Sequence, residues 1–381
     1  MLHFTPEEFA ARRCQAESEL SRRGLDGMLV FAPESQFWLT GFDTFGFCFF
    51  QCLVIGGTDL VLLTRSADMR QAELTSNVRD IRIWKDRHGA DPAKDLAELL
   101  RDLGLAGKRL GIETDTHGLT YSNGIRVNNA LDGVVELEDA SDLFPRLRLI
   151  KSEAEIAYTR TAAELADRAF DAAIELAAPG VDEGRILAAM QGAIFEGGGD
   201  YPGNEFIIGS GEHALLCRYA SGRRTLDPSD QLTLEWAGTF RHYHAVMMRT
   251  LVIGDASPHQ IALSDAARSA LISCEERLRP GTPMGSVYDA HRESLDTAGL
   301  SESRLNACGY SLGARFSPSW MEPQMFFEGA DTIIRPGMVF FLHMIIMDSR
   351  TQTAMCLGRT SLVTRDGPES LSRHGLDLIT R

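Results

Sequence analysis

Residues 231–250, QLTLEWAGTFRHYHAVMMRT, contain two runs rich in Leu, Thr, Tyr and Val, a composition typical of β-strands. The residues Ala237–Gly238–Thr239 lie between the runs and are predicted to turn the chain. Side chains alternate faces along a strand, so Glu235 faces a second run in which His242 and His244 share one face. A carboxylate between Leu and Trp, opposite two histidines, indicates either a buried site or the polar face of a surface hairpin.

The composition is that of an ordinary globular protein. Of 381 residues, 44% are hydrophobic and 24% are charged, and the formal net charge of −15 argues against a nucleic-acid-binding surface. The N-terminal residues include acids and lack an apolar core, so no signal peptide is predicted, and no apolar run approaches the roughly 20 residues that span a bilayer. The seven cysteines lack the close spacing of a zinc site, which predicts a cytoplasmic protein with reduced thiols.

The first part of the chain, residues 1–142, alternates strand-like and helical runs, and this pattern predicts an α/β domain. Thr5 is placed to cap a helix that reaches Arg23, with Pro6 at its first position. Residues 35–57, SQFWLTGFDTFGFCFFQCLVIGG, are predicted as strands that break at Gly41 and Gly46.

The remainder, residues 143–381, has a different order of elements. Ser152 followed by Glu155 forms a capping box at the start of a long Ala-rich helix, and a second helix ends in the triple glycine 197–199. Strands follow, then a second pair of helices and further strands. This order predicts an α+β domain with a weakly duplicated appearance.

Six ordered motifs in this second part carry a resemblance to a known family. They are RLRLIKSEAEI, APGVDEGRI, DPSDQLTLE with YHAVMMRT, GYSLG, IRPGMVFFL and LGRTSLVTRDG. They resemble the catalytic domain of the creatinase, prolidase and aminopeptidase P superfamily, while GLDGMLVFAPESQFWLTGFDTFGF resembles its N-terminal domain. The resemblance implies an α+β pita-bread catalytic domain, with a duplicated helix pair and a curved antiparallel sheet, over residues 143–381. A creatinase-type α/β N-terminal domain is expected over residues 1–142.

The resemblance also bears on metal binding, because the peptidases of this superfamily hold two divalent ions with Asp, His and Glu side chains. The corresponding positions in this chain are Glu235, Val246, Tyr310, His343 and Gly358. Val246 and Gly358 offer no ligand atom, and Glu235 with His343 cannot hold two cations. We therefore expect no metal and no other cofactor, although a single ion on Glu235 and His343 stays conceivable.

Three side chains are candidates for proton transfer or nucleophilic attack. The resemblance to ectoine hydrolase implies that Glu235 acts as a nucleophile or as a general base. His343, in the apolar run VFFLHMIIM, is predicted as a general acid or base because it coincides with a ligand position of the family. His244 is a second proton-transfer candidate. The alternative for either histidine is a hydrogen-bonded core residue.

Four further residues of the second domain are predicted to bind substrate. Arg218 is expected to anchor a substrate carboxylate, or alternatively to pair with Glu235. Tyr310 is expected to donate a hydrogen bond to developing charge, or to fill the core. Trp320 and Glu322 belong to a segment after GYSLG that resembles the ectoine hydrolase branch.

The N-terminal domain contributes two aromatic candidates, Phe45 and Phe47, from the aromatic stretch of residues 37–50. In relatives with this domain, a loop of one subunit caps the partner's site. The resemblance therefore implies a homodimer in which these rings contact the partner's substrate, and aromatic faces suit small cations. The alternative is that Phe45 and Phe47 are ordinary residues of the hydrophobic core.

The function expected from these residues is metal-independent hydrolysis of a non-peptide C–N bond in a small zwitterionic or cationic compound. A cyclic amidine such as ectoine, an amide and a guanidino acid all remain open. Creatine is disfavoured, because the catalytic histidine and hairpin glutamate of creatinase fall on Arg218 and Met248. The alternatives are an Xaa-Pro peptidase and a non-catalytic binding protein on the same scaffold.

Overall fold

A computed structural model describes residues 2–56 and 59–381, so the strand end predicted at Gly57 lies outside the described residues. The chain divides into two compact units, Met1–Arg148 and Leu149–Arg381. Helix Leu143–Arg148, which the sequence analysis assigned to the second domain, belongs to the first unit. Among the described residues, no helix combines the length and the apolar character that crossing a membrane requires.

The first unit contains a six-stranded sheet with the strand order β4-β3-β2-β1-β5-β6. Its strands are β1 Gly27–Val30, β2 Cys52–Gly56, β3 Asp59–Arg65, β4 Asp80–Trp84, β5 Arg109–Ile112 and β6 Glu136–Asp139. Its helices are α1 Pro6–Arg23, α2 Pro33–Thr40, α3 Met69–Thr75, α4 Pro92–Asp102, α5 Tyr121–Leu131 and α6 Leu143–Arg148. Strands β1 and β2 pair antiparallel, and β1, β5 and β6 pair parallel. This is the predicted α/β unit.

Helix α2 corrects the strand predicted after residue 35. The helix begins at Pro33 and ends where Gly41 adopts a left-handed φ of 83°. Its N-terminus has no local side-chain cap. Instead, the Glu113 carboxylate accepts hydrogen bonds from the backbone N–H groups of Phe31 and Ala32 at 2.9 and 2.7 Å, and from the Ser35 hydroxyl at 2.6 Å. A cap supplied from 78 or more residues away along the chain leaves no local sequence signal.

The second unit contains a nine-stranded sheet in the order β11-β10-β12-β13-β9-β8-β7, with β14 on β13 and β15 on β9. Its strands are β7 Ile207–Ser210, β8 Asp230–Phe240, β9 Tyr243–Ile253, β10 Ala307–Ser311, β11 Met325–Phe327, β12 Val339–Asp348, β13 Thr353–Val363, β14 Pro368–Ser370 and β15 Ile379–Thr380. Its helices are α7 Glu153–Leu176, α8 Glu183–Glu196, α9 Pro258–Arg277 and α10 Met284–Thr297. The predicted capping box of Ser152 and Glu155 opens α7.

The helix pairs cover one face of this sheet. On β8, Trp236 packs against α7: its ring stacks on Phe170 at 5.0 Å between ring centroids, and its indole N–H donates to the Ala166 carbonyl at 2.9 Å. On β12, Phe340 and Leu342 belong to the apolar cluster formed with α9 and α10. Because side chains alternate along a strand, Glu235 on β8 and His343 on β12 point to the opposite face.

The hairpin turn lies four residues later than predicted. Strand β8 continues through Ala237–Thr239 to Phe240, and the turn is formed by Arg241 and His242, whose φ values are 50° and 66°. Two residues with positive φ form the turn type that suits a tight hairpin. Gly238 has a different purpose, because a Cβ there would overlap backbone atoms of helix α7.

The close approach at Gly238 leads to a prediction about stability. In Gly238→Ala, the added methyl would overlap the Ala162 carbonyl oxygen and the Ala166 amide nitrogen, and helix backbone cannot move as a side-chain end can. We expect a loss of about 2–3 kcal/mol in the free energy of unfolding, measured by urea denaturation.

The control is Gly192→Ala in helix α8, where an added Cβ has no atom within 4 Å. Alanine favours helices, so this variant is expected to be neutral or more stable by up to about 1 kcal/mol. Equal stabilities of the two variants would show that α7 does not depend on the glycine.

Candidate active site

A cavity of about 550 Å³ lies against the sheet face that is opposite to the helices of the second unit. Five residues predicted from the sequence line it together, namely Glu235, His343, Arg218, Tyr310 and Trp320. A volume of this size is typical of small-molecule sites. The lining also includes residues that were not predicted as site residues, among them Asn204, Glu205, Cys217, Leu305, Ala307, Met325 and Ile345.

The sheet register places the candidate residues in one row. His343 on β12 is paired with Gly358 on β13, Gly358 with Met248 on β9, and Met248 with Glu235 on β8. Paired residues on neighbouring strands share a face. The row therefore presents one imidazole and one carboxylate, separated by an apolar side chain and a glycine.

The sheet curls so that its distant strands meet over this row. Strands β10 and β8 are four positions apart in the sheet, which in a flat sheet would separate them by about 19 Å. The Tyr310 hydroxyl on β10 nevertheless lies 3.4 Å from Glu235 Oε1 on β8. The curvature encloses the cavity.

Glu235 is a carboxylate in a desolvated place. Its side chain is only 7% exposed, and burial raises its pKa from 4.5 to about 7. The positive charge of Arg218 and the hydrogen bond from Tyr310 oppose this rise without cancelling it. Glu235 is therefore poised to exchange a proton near neutral pH.

A chain of donors fixes the orientation of Glu235. The Trp320 indole N–H donates to the Tyr310 hydroxyl at 2.8 Å, which leaves the Tyr310 proton directed at Glu235. The Trp320 backbone N–H donates to Asn204 Oδ1 at 3.1 Å. Burial raises the pKa of Tyr310 well above 10, so the phenol stays protonated. The bond to Glu235 is longer than an ideal O–H···O bond and leaves room for adjustment.

A bulge in β10 turns Tyr310 into the cavity. The pairing of β10 with β11 shifts register between Ala307 and Tyr310, and both residues line the cavity although they are three apart. Gly309 lies within the shift with a φ of 151°, and a Cβ there would overlap the Phe341 carbonyl oxygen. Glycine is the residue that this geometry accepts.

His343 lies on the cavity side of β12 with its ring 5.8 Å from the Tyr310 ring centroid. Burial lowers its pKa to about 3, so the imidazole is neutral at neutral pH. Its Nδ1 has no hydrogen-bond partner within the described residues. A neutral imidazole has one N–H donor and one acceptor nitrogen, so the role of His343 as a general acid or base stays a prediction.

His244 does not line the cavity, contrary to its prediction as a proton-transfer residue. Its Nε2 accepts a hydrogen bond from the Gly203 backbone N–H at 2.9 Å, and its Nδ1 lies 3.4 Å from the Gly313 carbonyl oxygen. Both ring nitrogens are thus engaged by backbone. His244 holds Gly203, which directly precedes the cavity residue Asn204, and this is a positioning role.

Arg218 and Glu322 differ in their placement. The Arg218 guanidinium lines the cavity and donates a hydrogen bond to the Cys217 carbonyl oxygen at 2.7 Å. Within the described ranges Arg218 forms no ion pair, so it does not pair directly with Glu235. Glu322 is buried outside the cavity lining, with Oε2 3.8 Å from Arg315 Nη1. The predicted contact of Glu322 with substrate is therefore corrected to an internal ion pair.

The aromatic candidates of the first unit, Phe45 and Phe47, are not among the lining residues of the cavity. Phe45 is 70% exposed, whereas Phe47 is buried, and their ring centroids are 5.8 Å apart. The exposed ring of Phe45 is available to a partner. Its contact with a partner's substrate stays a prediction.

The residues that sequence reasoning missed come mainly from irregular segments. Asn204 and Glu205 lie in a loop without a motif, and Cys217 follows a short 3-10 helix. Burial raises the pKa of the Cys217 thiol, so it is not an activated nucleophile. Only the proximity of Cys217 to Arg218 in the chain could have suggested it.

The side chains in the row do not suit a pair of divalent ions. A Cβ on Gly358 would lie 2.8 Å from two carbon atoms of the Phe341 ring, so that ring covers the position where the resemblance places a ligand. Val246 and Met248 are fully buried in the same apolar cluster. Among residues 2–56 and 59–381, no group of three or more His, Cys, Asp and Glu side chains is placed to hold a metal ion.

Family models match both parts of the chain. The model of metallopeptidase family M24 matches residues 157–365, and the creatinase/prolidase N-terminal domain matches residues 12–150. Together the two matches agree with the two units of the structure.

Individual relatives extend over most of the chain. An ectoine hydrolase from Halomonas elongata is 26% identical over 357 residues, 89% of each chain, and an Xaa-Pro dipeptidase from Pyrococcus furiosus is 22% identical over 362 residues, covering 94% of this chain and 97% of its own. Among solved structures, an Xaa-Pro dipeptidase from Bacillus anthracis superposes with a TM-score of 0.85 at 21% identity, covering 98% of this chain and 100% of the other. These likenesses confirm the predicted fold.

The buried carboxylate predicts a pH-dependent stability. With a folded-state pKa of about 7 against 4.5, the folded protein retains the Glu235 proton to higher pH than the unfolded chain, so stability falls as pH rises between these values. Glu235→Gln carries no such proton. We expect it to unfold with a free energy higher by on the order of 3 kcal/mol above pH 7, and the difference to vanish near pH 4.5, in urea titrations across this range.

The matched control is Glu205→Gln, which removes an exposed carboxylate from the cavity edge. Its stability is expected to follow the wild type at both pH values. A Glu235→Gln variant less stable than the wild type at pH 8 would contradict the desolvated carboxylate.

Proposed function

The chain belongs to metallopeptidase family M24, within the hydrolases of the creatinase/prolidase group, and from this premise we propose that it hydrolyses a non-peptide C–N bond without a metal ion. The substrate class is a small zwitterionic or cationic compound, namely a cyclic amidine, an amide or a guanidino acid. The observation that carries the proposal is the Glu235 carboxylate, desolvated in a cavity whose neighbouring positions lack metal donors.

Glu235 acts as general base in the proposed reaction. Its ionised carboxylate takes a proton from water while the water oxygen forms a bond to the carbon of the C–N group. The C–N bond then breaks, and protonated Glu235 returns the proton to the departing nitrogen. A pKa of about 7 suits both halves of this cycle, because the group gains and loses a proton at little cost near neutral pH.

The other cavity residues support this step. Tyr310 and Trp320 orient the carboxylate through the donor chain that ends on Glu235. Neutral His343 offers a hydrogen-bond acceptor or donor to the substrate at the far end of the row. Arg218, which has no carboxylate partner in the described ranges, attracts a substrate carboxylate. Together, Arg218 and Glu235 present opposite charges to a zwitterion.

The relatives support two chemistries to different degrees. An ectoine hydrolase at 26% identity supports opening of a cyclic amidine. The Xaa-Pro dipeptidase relative supports the alternative of a peptidase, but Val246, Gly358 and the covering Phe341 ring argue against the metal pair that this alternative needs. A non-catalytic binding protein is a further alternative, and the presence of a desolvated carboxylate with a near-neutral pKa in the cavity argues against it.

The proposal extends to assembly and location. We propose a homodimer in which Phe45 of one chain faces the cavity of the partner, since Phe45 exposes a large aromatic surface, whereas Phe47 is buried and packs against the Phe45 ring. The seven cysteines are all free in the structure, which supports a reducing, cytoplasmic environment.

The direct test is turnover by Glu235→Gln. Hydrolysis is assayed for ectoine, N-acylated amino acids, guanidino acids and Xaa-Pro dipeptides, and Glu235→Gln is expected to lower kcat for the substrate found by on the order of 10²–10⁴-fold, because the amide cannot accept a proton. Glu205→Gln in the same assay is expected to retain activity. Arg218→Gln is expected to raise KM more than it lowers kcat. Unchanged turnover by Glu235→Gln would refute the mechanism.

Metal content gives an independent test. Dialysis of the purified protein against a chelator is expected to leave the rate unchanged, with kcat followed before and after treatment. Elemental analysis checks the same preparation. Two tightly bound divalent ions per chain, with activity lost on their removal and restored on their return, would instead establish the peptidase alternative.

A further inference from the structure

One side of the cavity is an apolar wall formed by Leu305, Ala307, Met325 and Ile345. These residues come from or adjoin β10, β11 and β12, which are neighbours in the sheet, so the wall is one continuous surface. Leu305 and Met325 are partly buried against the apolar cluster behind them. None of these side chains has a role in the proposed proton transfer.

The wall begins beyond His343, which is the last residue of the row that starts at Glu235. Ile345 follows His343 by two residues on β12 and shares its face, which displaces it by about 7 Å along the strand. Met325 is paired with Tyr310 across β10 and β11. A substrate whose scissile bond lies near Glu235 and Tyr310 can therefore extend along the wall without a bend.

The cavity is larger than a compact zwitterion needs. Its volume of about 550 Å³ corresponds to on the order of 18 water-sized groups. A compact cyclic amidine or guanidino acid that bridged Arg218 and Glu235 would leave the wall facing water. Apolar surface that stays wet contributes nothing to binding, whereas an apolar substituent on the wall would.

The charges of the cavity are distributed unevenly. Arg218, Glu205 and Glu235 are the charged residues of its lining, and none of them belongs to the wall. Met325 adds a flexible thioether, which adapts to chains of different shape. The lining is thus amphipathic, with a cation and acids at one side and hydrocarbon at the other.

We propose that the substrate carries an apolar chain on the carbonyl or amidine carbon of the scissile C–N bond, and a carboxylate on the nitrogen side. The inference rests on the proposed hydrolysis at Glu235. The chain lies along Leu305, Ala307, Met325 and Ile345, and the carboxylate contacts Arg218. The substrate class is therefore an N-acyl or N-amidino amino acid with a hydrocarbon tail rather than a compact solute. The N-acyl members are anions and so widen the proposed zwitterionic or cationic class, with which they share the scissile C–N bond and the carboxylate for Arg218.

The test is a homologous series of N-acylglycines from acetyl to octanoyl, with the full-length wild-type protein. Dissociation constants are measured by titration calorimetry. We expect binding to tighten by roughly fourfold for each added methylene until the wall is covered, as burial of one methylene implies. Hydrolysis of the same compounds is followed by release of glycine.

The wall is tested by Ala307→Leu, which fills half-buried space on the cavity side. This variant is expected to weaken binding of octanoylglycine at least tenfold and to leave acetylglycine unchanged. The matched control is Ala298→Leu, an exposed position at the end of α10, where both affinities are expected to equal the wild type. Thermal melts show whether both variants fold.

The outcomes separate this inference from the proposed function. If acetylglycine is hydrolysed but affinity does not increase with acyl length, the proposed hydrolase function stands and the proposal of an apolar chain on the substrate is refuted. Tighter binding along the series without release of glycine supports the chain and counts against hydrolysis of this class. If no member of the series binds up to its solubility limit, the inference is refuted. The proposed function is then still tested by comparing the turnover of compact amidines by the wild type and by Glu235→Gln.

Discussion

The contact between Tyr310 and Glu235 joins two strands that the sheet order holds far apart, and the site depends on the curvature that permits it. Two glycines make that curvature compatible with close packing. Gly309 allows β10 to shift register and turn Tyr310 inwards, and Gly238 lets helix α7 lie directly on β8 behind the carboxylate. The cavity is thus a property of the bent sheet, while the helices on the other face supply the support.

The apolar side chains at the centre of the row lie next to its one carboxylic acid, Glu235. Val246, Met248 and the Phe341 ring fill the centre of the sheet with hydrocarbon. The same hydrocarbon withholds water from Glu235 and raises its pKa to about 7, in spite of the Arg218 charge. The apolar side chains at the neighbouring positions and the near-neutral pKa of Glu235 therefore belong to one packing arrangement. A buried carboxylate costs stability, as is common for residues kept for chemistry.

Local patterns predicted the elements whose causes are local. The cap of α1 at Thr5 and the capping box of α7 follow from short spacings and are present in the structure. Helix α2 was predicted as strand because its cap, Glu113, is remote in sequence. Gly238 was predicted to lie in a turn, because a glycine required by close packing of a helix on a strand looks the same in the sequence as a glycine required by a turn. Both failures concern contacts between distant segments.

Positions carried over from the resembled family were a better guide to the site than the face that a residue takes on a strand. Glu235, His343, Arg218, Tyr310 and Trp320 were selected by chemistry or resemblance, and they meet in one cavity. His244 was selected by face alone, and register could not reveal that backbone engages both of its nitrogens. The apolar wall was beyond sequence reasoning, because Leu, Ala, Met and Ile in strands predict core equally well.

The remote cap of helix α2 has a consequence for biosynthesis. A ribosome delivers residues 31–40 long before Glu113, so the backbone N–H groups of Phe31 and Ala32, which directly precede this helix, lack their acceptor until Glu113 has been made. Until strand β5 has been made and paired with β1, the segment lacks the carboxylate that closes it. The loop that carries Phe45 and Phe47 begins at the end of this helix, so the anchor on the N-terminal side of the helix is completed only after strand β5 has been made.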